Sequence, residues 1–527
     1  MSFVAWYYPL FLAITALVFW CLVPRYRTLF IVLASLVFYA YWDVRFIALL
    51  LATAVFDYTC THAVAKLPLR FRTVTFLASL PALWLLLAQC FKAVPTAALL
   101  ASLMGIPIFL GLWLIGRYGV VRRYYLLLGI IGNLSILVFF KYAGWFASNL
   151  QIILTAMGFN AGWLELQVLL PIGISFHVFQ SIAYIVDVHR RRVAVEPSFM
   201  RIVNMVCFFP QLVAGPIERA GHLLPQLYFD KAWRWQHLIW GCHLILLGYF
   251  LKVYVADNCA VLSDYFFDTL HRLQVAPIDA RFGADWSLLG TLAFAFQIYG
   301  DFAGYTLIAR GSALFFGVDM MRNFSLPYLA LTPSDFWQRW HISLSSWFRD
   351  YLYIPLGGNR GPTWRVFFNL LLTMLIAGVW HGAAWTFVLW GGIHGLALMV
   401  WRVGLPEASA LQRRHFLWQL SCWGLTLLIV LAGWACFRAI TVADIPFLVS
   451  SLRHWQSFNV ALAWPGYKWL ALHALPLCVL MWSVRHEGEE GAIAKLPLKL
   501  LVPFYVLIIL LTLSSANRRA EFIYFQF

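Results

Sequence analysis

Apolar runs long enough to enter a bilayer recur along the whole chain: Tyr7–Val23, Leu29–Tyr41, Thr73–Cys90, Val121–Phe140, Leu238–Val255, Ser287–Tyr299, Val366–Ile376, Phe387–Val400, Leu417–Phe437, Trp469–Val484 and Leu498–Leu513. Most charged residues lie in the short connections between them. A straight spanning helix needs about 20 apolar residues, and several runs are shorter, so some segments must be half-helices, tilted pieces or re-entrant helices. The pattern predicts an all-α integral membrane protein with roughly eleven spanning helices. The longest polar interruptions, Asp264–Asp285 and Arg485–Glu490, are too short for a soluble domain, so residues 1–527 read as one polytopic domain.

One stretch departs from plain spanning helix. In Thr332-Pro-Ser-Asp335 the threonine can cap, the proline can take the first helical position and the acid can sit at the third, which announces a helix start. The spacing predicts a helix from about Pro333 to Tyr351. Phe336, Trp337, Trp340, Leu344, Trp347, Phe348 and Tyr351 recur near period 3.6, while Gln338, His341 and Ser345 share an adjoining polar stripe. The loop Tyr353-Ile-Pro-Leu-Gly-Gly-Asn-Arg-Gly-Pro362 then turns the chain back toward the membrane.

Composition agrees with this setting: 62% of residues are hydrophobic and 11% charged, more apolar surface than an ordinary soluble core can hide. The net charge of +16 is spread over short connections, with local groups at Lys66, Arg70 and Arg72, at Arg117, Arg122 and Arg123, at Arg190 to Arg192, and at Arg413 and Arg414. That is the distribution the positive-inside rule produces, and it assigns those loops to the cytoplasm. No interleaved basic and aromatic groove, zinc-finger spacing or basic tail is present, so nucleic acid is not an expected partner. Nine cysteines lie scattered with no CxxC, which reads as small buried residues rather than a disulfide or metal framework. Trp6–Val23 lacks a basic leader and a small-residue cleavage site, and reads as a retained first span.

Candidate chemistry centres on two histidines forty positions apart, His341 and His381, the latter in Gly378-Val-Trp-His-Gly-Ala383. Hydrocarbon penalises ionisable groups that do not face protein or water, so two in successive segments mark a reactive site. The plainer alternative for His341 is an interfacial helix with tryptophans at headgroup level. Gly378 and Gly382 would let backbone or substrate approach His381, Trp380 adjoins it, and Trp-Gly-Gly-Ile-His-Gly395 supplies His394. Asp301 should be buried and hydrogen-bonded, or exposed to water at a break made by Gly300 and Gly304, and a hinge whose acid caps backbone amides is its favoured role. No close-spaced histidine pair marks a metal site, and no cofactor is expected.

Several motifs in order resemble the membrane-bound O-acyltransferase (MBOAT) family, specifically the bacterial branch with the alginate O-acetylation membrane protein and the teichoic-acid D-alanyl transferase. They are Phe139-Phe-Lys-Tyr142, Pro171-Ile-Gly-Ile-Ser-Phe176, Tyr184-Ile-Val-Asp187, Phe209-Pro-Gln-Leu-Val-Ala-Gly-Pro-Ile217, Asp301-Phe-Ala-Gly-Tyr305, the Asp335–Leu344 segment, Tyr353-Ile-Pro-Leu-Gly-Gly-Asn-Arg360, Trp380-His-Gly382 and Phe522-Ile-Tyr-Phe-Gln-Phe527. Departures are His177, where another aromatic is expected, and Ala303, where serine is common. The resemblance implies a ring of helices around a thinned centre with a tunnel, a catalytic core over about residues 286–400, His381 as catalytic histidine and His341 as its partner.

Acyl transfer from a thioester to a hydroxyl needs a base, a donor to the oxyanion and exclusion of water. His381 suits the base, His341 an orienter or oxyanion donor, and Gln338 and Ser345 are placed to fix the His341 ring. His177, His394, Asp301 and Trp380 are candidate lining or supporting residues. Arg360, Arg349 and Arg219 are candidates for the donor's anionic end, although the Gly357–Gly361 loop lacks a P-loop pattern. The absence of a Gly-x-Ser-x-Gly elbow favours direct transfer without a covalent acyl-enzyme. The resemblance further implies a bacterial inner-membrane, multi-pass, lipid-embedded enzyme. Its donor would be cytoplasmic acetyl-CoA, and its acceptor an exopolysaccharide such as alginate or cellulose, reached directly or through a periplasmic acetyltransferase or carrier partner. The alternatives are D-alanyl transfer to teichoic acid and a non-enzymatic transporter of acyl groups or polysaccharide.

Overall fold

The computed structural model describes residues 2–67, 122–160, 168–272, 283–404, 415–453, 460–485, 498–517 and 520–523, with isolated positions at 73, 76–77, 79–80, 83, 162 and 411. Among the described residues every regular element is helical, and six helices are long and apolar enough to cross a membrane. They are Phe46–Val64, Arg122–Ala156, Trp235–Arg272, Thr363–His381, Trp385–Gly404 and Phe416–Arg438. Most of the expected span Thr73–Cys90 lies outside the described residues, as do Arg70, Arg72, Arg117, Arg413, Arg414 and Tyr524–Phe527. The eight described cysteines are free.

The chain gathers into two compact units, Met1–His243 with Ala309–Met321, and Leu244–Ile308 with Arg322–Phe527. In the first, α1 (Tyr8–Cys21), α2 (Pro24–Asp43), α3 (Phe46–Val64), α4 (Arg122–Ala156), α5 (Ile174–His189) and α6 (Phe199–Cys207) pack together. The fully buried Asp57 of α3 ties three of them. It accepts from Asn133 Nδ2 of α4 at 3.0 Å and from the Ser181 hydroxyl of α5. A carboxylate in apolar surroundings has to be met by donors in this way, and three helices supply them.

The second unit carries α7 (Asp257–Arg272), α8 (Ala284–Leu314, to Ile308), α9 (Pro333–Arg339), α10 (Ile342–Phe348), α11 (Thr363–His381), α12 (Trp385–Gly404) and α13 (Phe416–Arg438). Helices α11 and α12 form an antiparallel hairpin whose closeness follows from its glycines. A Cβ on Gly378 would lie 2.2 Å from the Phe387 carbonyl oxygen, and one on Gly391 2.4 Å from that of Met374. Gly391 and Gly395 belong to a small-residue stripe of the kind that lets membrane helices approach backbone to backbone. Gly378 and Gly382 therefore admit the hairpin itself: the Phe387 ring would meet a Cβ on Gly382 at 2.0 Å. Of the two approaches the sequence allows beside His381, backbone or substrate, the one seen is by the protein itself, the Phe387 carbonyl at Gly378 and the Phe387 ring at Gly382.

Candidate active site

The helix start expected at Pro333 is present. Thr332 Oγ1 accepts from Asp335 N at 2.9 Å, and Asp335 in turn accepts from Leu331 N at 3.1 Å and from Arg339 Nε at 2.7 Å. The single helix expected as far as Tyr351 is not. It breaks at Trp340 and His341, resumes over Ile342–Phe348 and ends in π-helical Arg349–Tyr353. His341 stands in the left-handed region at φ 42°, a conformation that costs an ordinary L-residue roughly 1–2 kcal/mol. The compensating bonds come from the earlier segment Asn323–Ser325. Ile342 N donates to the Asn323 carbonyl at 2.8 Å, Ser325 N to the Arg339 carbonyl at 3.0 Å, and Ser343 Oγ to Asn323 Oδ1 at 2.6 Å. Asn323 is itself oriented by donating to Thr306 Oγ1 at 3.2 Å.

This break turns His341 inward, fully buried. Phe302 of α8 meets its ring edge-on at a centroid distance of 4.6 Å, and burial pushes its pKa down to about 3, so the imidazole is neutral. His381 closes α11 and is 3% exposed. Trp380 serves both histidines, with its ring 6.1 Å from that of His341 and 5.0 Å from that of His381. Trp390 and Phe437 complete an aromatic wall around His381 at 4.9 and 5.2 Å.

His381 also lines a groove of about 120 Å³. One wall is a stripe of α11, Leu370, Thr373, Met374, Ala377 and His381, which at helical rise runs about 16 Å. The other comes from α10 and the π-helical turn after it. Burial deepens along this groove, from Arg349, whose side chain is 62% exposed, to His381 at 3%. Exposed Arg360, Arg365 and Arg402 surround the neighbouring turn, where Arg402 Nη1 and the Tyr353 hydroxyl both donate to Asn359 Oδ1, at 2.9 and 2.7 Å. The groove is thus apolar, charged at its open end and closed by an imidazole.

Other sequence-predicted residues fall in several places. Ser345 lines the groove, but its hydroxyl donates to the Trp340 carbonyl at 3.0 Å, and Gln338 is exposed. Because the chain breaks at His341, these two do not form one polar stripe with it. His394, 1% exposed, is packed between Phe336, Trp337 and Trp390, and a Cβ on Gly433 would lie 2.5 Å from its Nε2. His177 and Arg219 belong to the first unit, His177 buried at 3% and Arg219 donating to the Ile217 carbonyl at 3.3 Å. Arg349 pairs with Asp350 at 2.8 Å.

Asp301 is buried and hydrogen-bonded as expected, and it caps a backbone amide, Ile523 N at 2.7 Å. No hinge accompanies it. Helix α8 runs unbroken through Gly300 and Gly304, which make room for the Gly248–Lys252 backbone. Its partner, missed in the sequence, is Lys252, whose Nζ lies 2.8 Å from Asp301 and 2.6 Å from Asp257 and donates to the Ala520 carbonyl at 3.0 Å. The signal was available: Lys252 is the one charged residue of the apolar run Leu238–Val255. Among the described residues no three His, Cys, Asp or Glu side chains gather into a metal site.

A sequence model of the membrane-bound O-acyltransferase family matches residues 136–436. The chain is 35% identical over 431 residues to a probable alginate O-acetylase AlgI of Azotobacter vinelandii, covering 82% of this chain and 72% of that protein. It is 33% identical over 444 residues to a peptidoglycan O-acetyltransferase of Helicobacter pylori, covering 79% and 72%. A teichoic acid D-alanyltransferase of Bacillus subtilis is 28% identical over 240 residues, 43% of this chain and 58% of its own length. The buried histidines, the groove between His381 and solvent, and these relationships converge: the chain belongs to the membrane-bound O-acyltransferase family and is a multi-pass membrane O-acyltransferase.

Proposed function

We propose that this protein takes an acetyl group from acetyl-CoA at the cytoplasmic face of a bacterial inner membrane and delivers it for O-acetylation of a secreted exopolysaccharide such as alginate or cellulose. Delivery is to the sugar directly or through a periplasmic acetyltransferase or carrier partner. The observation that carries this reading is the groove that leads from an arginine-bearing mouth to His381. An apolar channel suits a thioester arm better than a sugar, and the arginines suit the phosphates of its carrier. By the positive-inside rule the arginine-bearing end faces the cytoplasm, where acetyl-CoA is made available.

In this reaction His381 takes the proton of the attacking hydroxyl as general base. His341, neutral and fixed between Phe302 and Trp380, orients the aromatic wall against which His381 stands. Arg349 and Arg360 hold the donor's anionic end. The fuller coverage by acetyl-transferring relatives favours acetyl over D-alanyl as the group moved. The test is thiol release and label transfer from radiolabelled acetyl-CoA by protein in nanodiscs, with acceptor glycan and periplasmic extract supplied, comparing wild type with His381→Ala. Transfer by wild type and its collapse in the variant supports the enzyme reading. Polymer acetylation that survives in folded His381→Ala favours a transporter.

A further inference from the structure

We infer that the indole N–H groups of Trp337 and Trp390 are the donors that stabilise the oxyanion during acyl transfer at His381. The inference rests on the acyl-transfer reading above. The acceptor oxygen forms a bond to the thioester carbonyl carbon while His381 removes its proton. The carbonyl π pair moves onto oxygen, so negative charge appears there. Collapse restores the carbonyl, breaks the carbon–sulfur bond and returns the proton from His381 to the departing thiolate. In an apolar groove that transient oxyanion needs N–H or O–H donors already in position.

The groove's own inventory narrows the choice. The Thr373 hydroxyl donates to the Asn369 carbonyl at 2.6 Å, Ser345 to the Trp340 carbonyl and Tyr353 to Asn359. Arg349 lies at the exposed end, paired with Asp350. What remains is the pair of indoles. Trp337 Nε1 and Trp390 Nε1 are both buried with no acceptor within hydrogen-bonding distance, and both residues line the groove with His381. Trp390 is fully buried, its ring 4.9 Å from His381 at 83° and 5.5 Å from Trp337 at 84°. A buried donor left unmade is costly in a folded protein, and two beside one general base is an arrangement that a developing anion would satisfy. Indole donates only and does not titrate, so these groups would serve the transition state at any working pH. They take the donor role that is one of two alternatives, orienter or oxyanion donor, for His341 in the sequence.

The test replaces each tryptophan in the full-length protein by 3-benzothienylalanine, which keeps ring size and substitutes sulfur for N–H, and in parallel by 4-fluorotryptophan, which keeps the N–H. Wild type and His381→Ala are measured beside them with acetyl-CoA, and thermal unfolding in nanodiscs checks the fold. The expected result is a kcat about 10²–10³-fold lower for the sulfur analogue at Trp390 or Trp337. The KM for acetyl-CoA should stay within about threefold, and the fluoro analogue should stay near wild type. A sulfur analogue with undiminished kcat, or a loss carried wholly by KM, overturns this assignment while leaving the proposed function standing. A wild type that transfers nothing from acetyl-CoA, like His381→Ala, overturns both.

Discussion

The Lys252 ammonium lies 2.8 Å from the Asp301 carboxylate, with the two side chains 1% and 2% exposed. Asp257 adds a second carboxylate at 2.6 Å, so one cation is held by two anions and by the Ala520 carbonyl. Removing one member of a buried ionic cluster leaves uncompensated charge, which costs roughly 3–5 kcal/mol, whereas replacing all members by neutral groups of similar shape costs far less. Lys252→Met should therefore lower the thermal midpoint steeply. The triple variant Lys252→Met, Asp257→Asn, Asp301→Asn should recover most of it. Equal losses in the single and triple variants would show that the cluster acts through packing and not through charge.

The hairpin of α11 and α12 offers a sharper contrast, between adjacent glycines. A Cβ on Gly391 would stand 2.4 Å from the Met374 carbonyl oxygen, a backbone atom that cannot move aside. A Cβ on Gly392 would meet only the end of the Leu375 side chain at 4.0 Å. Gly391→Ala is expected to destabilise by about 1–3 kcal/mol through forced separation of the helices. It should also lower acyl transfer, because the same hairpin carries Met374, Ala377, His381 and Trp390 of the groove. Gly392→Ala should be near neutral or slightly stabilising. Unfolding in detergent of the two single variants decides it: similar midpoints would refute the close-packing account.

The parts of this site that local chemistry dictates were legible in the chain. The Thr332–Asp335 cap, the burial of Asp301 and the placement of His381 in apolar sequence all follow from residue type and spacing. The break at His341 was not legible, because the bonds that compensate it come from Asn323 and Ser325, sixteen to eighteen positions earlier, and no periodicity within Pro333–Tyr351 reports them. The glycines around His381 predict a close approach but leave backbone and substrate as alternatives, because a glycine shows only that something comes close; here the thing that comes close is Phe387. Trp337 fell on the apolar stripe of its helix and was counted as packing, since a stripe records the ring and not the N–H that the groove leaves without an acceptor.

The groove mouth gives a kinetic prediction. If Arg360 and Arg349 hold the anionic end of the donor, far from the bond being made, they contribute equally to ground and transition states. Arg360→Ala and Arg349→Ala should then raise the KM for acetyl-CoA by roughly 3–10-fold with kcat little changed. The effect should shrink as salt is raised, since exposed charges are screened beyond about 8–10 Å at physiological ionic strength. A simple thioester lacking phosphates should be used equally by wild type and variants. A drop in kcat with unchanged KM would place these arginines in the chemistry instead.

His341 supplies a pH dependence whose sign can be worked out. An imidazole with an unfolded pKa near 6.5 and a buried one pushed down to about 3 is neutral in both states above pH 6.5, so it has no pH-linked effect there. As pH falls below that, the unfolded chain binds the proton and the folded protein does not. Stability is therefore lost progressively toward the folded pKa, by about 2 kcal/mol at pH 5. Thermal midpoints at pH 7 and pH 5 in nanodiscs should fall further for wild type than for His341→Gln, which carries no titrating group at that position. The variant starts from a different absolute stability, so the difference between its two midpoints is the quantity that counts. Identical pH shifts in the two proteins would mean that His341 takes up its proton in the folded state, and would place water or a charge partner beside a ring that is otherwise packed against Phe302 and Trp380.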